Sequence, residues 1–89
     1  MAVQIEMYMR RGCMYCVRAR ALLEQKGVPF SMIGIDGDVE KEAEMIDRAG
    51  SDLVPQIFVG DRHIGGCDEL YELEREGSLD PLLGLDSAE

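Results

Sequence analysis

Cys13 and Cys16, separated by Met14 and Tyr15, are the residues of this sequence best suited to chemistry. Two thiols at this spacing can form and break a bond with each other, and either can exchange with a disulfide brought from outside. An apolar run from Val3 to Met9 precedes the pair and a helical pattern from Val17 to Lys26 follows it. Cys13 is therefore expected where a strand ends and a helix begins. There the free backbone N–H groups of the first turn and the positive end of the helix dipole favour a thiolate over a thiol. A free cysteine titrates near ~8.5, and a helix N-terminus in a Cys-x-x-Cys motif lowers that by roughly one to several units. Cys16 falls on the apolar stripe with Ala19 and Leu23, which makes it a second, sheltered thiol.

The charge around the pair is unlike that of the whole chain. The 89 residues carry a net charge of −9, yet no acidic residue lies between Met7 and Leu23, where Arg10, Arg11, Arg18 and Arg20 fall. One account is a solvated helix face. The other is a field that stabilises a thiolate and draws in an anionic thiol. The acidic total argues against nucleic acid and anionic membrane as main partners. Hydrophobic content of 46% and charged content of 30% are those of an ordinary folded domain, and one domain is expected over 1–84 with an acidic tail at 85–89.

Three cysteines do not make a secreted disulfide framework. Glu6 and Arg10 interrupt the N-terminal apolar run, so it does not read as a signal peptide. No stretch approaches the ~20 apolar residues of a membrane span. A cytoplasmic protein is expected, in which a Cys-x-x-Cys is redox-active or metal-binding.

The elements that must position the cysteines follow from periodicity and punctuation. Residues 3–9 and 30–35 read as strands on either side of the first helix, which Gly27 and Pro29 end, giving a right-handed βαβ unit with parallel strands. Asp38 is the expected N-cap of a second helix, Val39–Ala49. Val39, Ala43 and Ile46 are its expected buried stripe, and Glu40, Glu42 and Glu44 its solvated face. Pro55 forces Val54 to be extended. Gln56–Val59 and Arg62–Ile64 are then strands joined by a Gly60-Asp61 hairpin turn. Gly65-Gly66 leads into a third helix ending at Glu76, and a short helix near Leu79–Leu83 closes the chain. The order β-α-β-α-β-β-α, plus the short C-terminal helix, predicts an α/β fold with a four-stranded mixed sheet and helices on both faces. The six methionines, Met7, Met9, Met32 and Met45 among them, are expected to fill the core.

Four stretches together give the chain a family likeness. Cys13-Met14-Tyr15-Cys16, Val54-Pro55-Gln56-Ile57-Phe58, Gly65-Gly66-Cys67-Asp68-Glu69-Leu70 and Gly77-Ser78-Leu79-Asp80-Pro81-Leu82-Leu83 resemble, in order and spacing, the motifs of the glutaredoxins. The last is similar to the close of the small bacterial dithiol type. The resemblance implies a thioredoxin-like fold with a cis Pro55 facing the active-site pair. It implies a glutathione-dependent thiol–disulfide oxidoreductase with Cys13 as nucleophile and Cys16 as resolving thiol, a monomer acting on glutathionylated or disulfide-containing proteins.

It also implies a glutathione site. Val54 offers backbone hydrogen bonds to the tripeptide's cysteine unit; Gly66, Cys67 and Asp68 line the place of its γ-glutamyl end; Tyr15 packs beside it. Arg10 stands where the family has lysine, to pair with the glycine carboxylate or the Cys13 thiolate. Backbone N–H groups at a helix start suit a carboxylate, and Asp68 suits an ammonium.

Two residues depart from the family pattern: Met14 replaces a proline and Leu53 a threonine. Some family members without that proline hold a [2Fe–2S] cluster between two subunits with two glutathiones, so a cluster-carrying dimer with Cys13 as ligand is the alternative. A Cys₃His zinc site from Cys13, Cys16, His63 and Cys67 is a third reading, weakened because His63, beside Arg62, is expected to face solvent.

Overall fold

The structure, a computed structural model, describes residues 4–85; Val3 of the expected first strand and residues 86–89 of the expected tail lie outside them. The elements are β1 (Ile5–Met9), α1 (Met14–Gln25), β2 (Ser31–Gly34), α2 (Val39–Ala49), β3 (Gln56–Val59), β4 (Arg62–Gly65), α3 (Cys67–Glu76) and α4 (Leu79–Leu82). They form a four-stranded mixed sheet of order β2-β1-β3-β4. β1 pairs parallel with β2, Glu6 opposite Ser31, and antiparallel with β3, Tyr8 opposite Gln56. β3 and β4 form the expected hairpin, with a register shift between Ile57 and Phe58. Gly60 turns it with a φ of 61°, a left-handed conformation that glycine adopts without a Cβ clash.

Alternation along the central strands divides the interior in two. Ile5 and Met7 of β1 and Ile57 and Val59 of β3 face α1, α3 and α4, where they bury Ala19, Leu22, Leu23, Leu70 and Leu79. Burial of each such leucine contributes about 1.5–3 kcal/mol. Tyr8 and Phe58 face the other way and meet Ile35 and Met45 under α2.

Three expectations need correction. α1 begins at Met14, not Val17, with Cys13 as its N-cap, so both cysteines belong to the helix start. In α2 the expected stripe is outside: Val39 and Ile46 are exposed, as is Ala43, and Met45 is the buried residue. Its inner face is completed by Arg48, whose Nη1 lies 3.1 Å from Glu6 Oε1 and 2.7 Å from the Tyr8 hydroxyl, while that hydroxyl donates to Glu44. Long polar side chains therefore cover this face of the sheet. Met32 is exposed because β2 is an edge strand with little packed upon it, whereas Met7 and Met45 are fully buried.

Candidate active site

The two thiols differ because of how α1 starts. Cys13 has an extended backbone (φ −94°, ψ 109°) and its carbonyl accepts the first helical hydrogen bond, from Val17 at 3.1 Å. Its Sγ accepts a hydrogen bond from the Cys16 backbone N–H, also at 3.1 Å, in the way an N-cap oxygen would. No acidic side chain occupies the first turn of α1. Cys13 is half-buried and Cys16 buried. Burial first, and then the hydrogen bond with Cys13, pushes the Cys16 thiol up to about 12. Both cysteines are free thiols in this structure.

A second segment closes on Cys13 from 41 positions away. Its Sγ–H points at the Val54 carbonyl oxygen, 3.8 Å distant. The Val54–Pro55 peptide bond is cis, as the resemblance implied. Beside it passes the Gly65-Gly66 turn: a Cβ at Gly66 would stand 3.2 Å from the Pro55 carbonyl oxygen, a close approach that a side chain would have to widen by a few tenths of an ångström. The two segments wall a cleft of about 500 Å³. Tyr15, Val54, Pro55, Gly66, Cys67 and Asp68, six of the residues singled out in the sequence, line it.

The remaining arginine is placed differently. Arg10 does not line the cleft; its Nη2 lies 3.2 Å from Glu42 Oε2 on α2. Arg20 pairs with Glu24, and the Arg18 guanidinium lies 5.6 Å from the Tyr71 ring centroid. Two of the four arginines are thus paired with acids, and one of those acids, Glu42, was expected to face only solvent. Cys67 is buried at the first position of α3, and burial is the main cause that raises its thiol, with Arg18 acting the other way. The expected free N–H of Gly66 is taken: it donates to Glu69 Oε1 at 2.8 Å.

Gln56, His63 and Glu69 also line the cleft; of these the sequence reading had given a role only to His63, as a candidate zinc ligand. Gln56 had a signal, being a polar residue that starts an otherwise apolar central strand. His63 is exposed, as expected beside Arg62, yet its Nε2 is 2.6 Å from Gln56 Oε1. Among the described residues no three His, Cys, Asp or Glu side chains converge as a metal-holding set.

The Glutaredoxin family profile matches residues 5–64. The chain is 54% identical over 79 residues to Glutaredoxin 3 of Escherichia coli K12, covering 89% of this chain and 95% of that one. Among solved structures, the solution structure of glutaredoxin from Brucella melitensis superposes with a TM-score of 0.83 at 50% identity, covering 94% of this chain and 91% of that one. The crystal structure of a buckwheat glutaredoxin–glutathione complex gives a TM-score of 0.83 at 32% identity, covering 92% and 77%.

Proposed function

The chain belongs to the glutaredoxin family, whose chemistry is thiol–disulfide exchange, and from that premise we propose that it reduces glutathionyl mixed disulfides and protein disulfides at the expense of glutathione. One observation carries the reading. A half-buried sulfur at a helix start without acidic side chains, with a buried thiol one turn behind it, lies 3.8 Å from the carbonyl oxygen of Val54, a residue that lines the cleft.

Negative charge on Cys13 Sγ is supported by the Cys16 N–H and the α1 dipole. The thiolate attacks the glutathione sulfur of a glutathionylated protein. A Cys13–glutathione disulfide forms, the original S–S bond breaks, and the protein thiolate leaves and takes a proton. A glutathione thiolate then attacks the glutathione sulfur held on Cys13, leaves as glutathione disulfide and returns the Cys13 thiolate. With a protein disulfide, Cys16 gives up its proton and attacks Cys13 in the mixed disulfide, releasing the protein. Two glutathiones later reopen the Cys13–Cys16 bond. Burial and the raised pKa of Cys16 suit a thiol that waits for this second step. In the cleft, Val54 meets the cysteine unit of glutathione, the start of α3 with Gly66, Cys67 and Asp68 meets the γ-glutamyl end, and Tyr15 packs alongside. Arg10 reaches the glycine carboxylate or the Cys13 thiolate by giving up Glu42. The buckwheat relative's structure is a complex with glutathione, which supports this choice of thiol.

The test is turnover of a small glutathionyl mixed disulfide with glutathione. Cys13→Ser abolishes it and Cys16→Ser keeps most of it, while Cys16→Ser loses reduction of protein disulfides. An inactive wild type would overturn the reading. A [2Fe–2S] cluster does not fit one chain, which offers a single accessible thiol where four ligands are needed. The exposed Met14 beside Cys13 keeps a second reading open to measurement, a dimer that shares a cluster through Cys13 of each copy and two glutathiones. Visible absorption of anaerobically prepared protein distinguishes it.

A further inference from the structure

Leu53 sits in the loop that leads to the cis proline, and both of its peptide groups are held by side chains rather than by a strand. Its N–H donates to Ser51 Oγ at 3.1 Å, and its carbonyl accepts from Gln56 Nε2 at 3.0 Å. Its own side chain is 70% exposed and holds nothing. Gln56 is the only buried polar residue among those described, so its amide must be satisfied on both sides. A backbone carbonyl only accepts, so the amide NH₂ faces Leu53 and the amide oxygen faces His63. His63 Nε2, 2.6 Å from that oxygen, must therefore carry a proton. The imidazole is laid against Phe58, ring centroids 4.9 Å apart and planes 27° apart, which fixes where that proton points.

We propose that Gln56 and His63 are positioning residues, a directed pair of hydrogen bonds from His63 through Gln56 to the Leu53 carbonyl that fixes the Leu53–Val54 backbone at the mouth of the cleft. This rests on the reading of Val54 as the backbone partner of a glutathionyl group. Neither residue touches the reacting sulfurs. Their contribution is to set the backbone at 53–54 before the reactant arrives, so that its ordering is not charged to binding.

His63 is exposed, and both of its variants give up the stacking on Phe58, so the hydrogen bond to Gln56 is what distinguishes them. His63→Gln keeps an N–H of similar reach; His63→Leu removes it and leaves the buried Gln56 oxygen unpaired. The expected result is a KM for the glutathionyl substrate raised about five-fold in His63→Leu, near wild type in His63→Gln, with kcat within about two-fold in both. In the same proteins, the Leu53 and Val54 backbone amides exchange with solvent faster in His63→Leu only. An active wild type whose His63→Leu variant keeps both its KM and its amide exchange overturns the proposal. If the wild type does not turn over the substrate, the reading of function has failed, and amide exchange alone decides whether the tie exists. Gln56→Leu is expected to reproduce the His63→Leu exchange pattern.

Discussion

The two thiols of the motif carry the same side chain and are held in opposite ways. Cys13 caps a helix and reaches the surface; Cys16, like Ala19, Leu22 and Leu23, is one of the buried residues of α1. The difference has a consequence for stability. Cys16 titrates near its ordinary value, 9.0, once unfolded and near about 12 when folded. Between these values the unfolded chain has lost a proton that the native protein still holds, so rising pH favours unfolding. The reduced protein is expected to hold its stability below about pH 8 and to lose it progressively as pH climbs through the interval, with Cys67, also raised, adding in the same direction. Urea titrations of wild type and Cys16→Ser at neutral pH and at about pH 10 check this. The serine variant, having no thiol to titrate there, should lose less stability between the two.

At the scale of elements, three helices start in different electrostatic company. α2 opens with Glu40 and Glu42 and α3 with Asp68 and Glu69, each supplying its own negative charge to the dipole. α1 opens with none and has a sulfur at its cap. A carboxylate placed there should compete with that sulfur. Met14→Glu, at a position 70% exposed, is expected to slow alkylation of Cys13 about two- to five-fold at low salt, with the difference shrinking as salt is added. Much of this was legible in the sequence, because a cap, a Cys-x-x-Cys and a Gly-Gly helix start are local patterns. The inner face of α2 was not. Val39, Ala43 and Ile46 have the right spacing for burial, but the sheet beneath presents Glu6 and the Tyr8 hydroxyl, which Arg48 and Glu44 satisfy and a purely apolar stripe would not. The tie from His63 to Leu53 was equally hidden. Its members are brought together by the β3–β4 hairpin and the turn before it, and no periodicity announces which amide faces which ring.

Taken whole, the molecule is a sheet with unequal cover. The side under α1, α3 and α4 holds the larger apolar cluster, and Leu23 is fully buried within it. Leu23→Ala is expected to cost about 2–5 kcal/mol in denaturant unfolding while leaving the cleft, which it does not line, able to work on the folded fraction. The strand directions also give the molecule two distinct ends. β1 and β2 finish, β3 begins and β4 finishes at the end where Cys13, Val54 and Gly66 meet. The far end is fastened separately: Lys26 bridges Glu74 and Asp80 at 2.7 Å each, and Gly60 N–H bonds to the Gln4 carbonyl at 2.6 Å. Among the described residues, none of those given a role in the proposed function is found there. A fusion partner, dye or surface tether attached through the exposed Gly60-Asp61 turn would leave the working end facing solution, so the fold comes with its own point of attachment for building redox sensors.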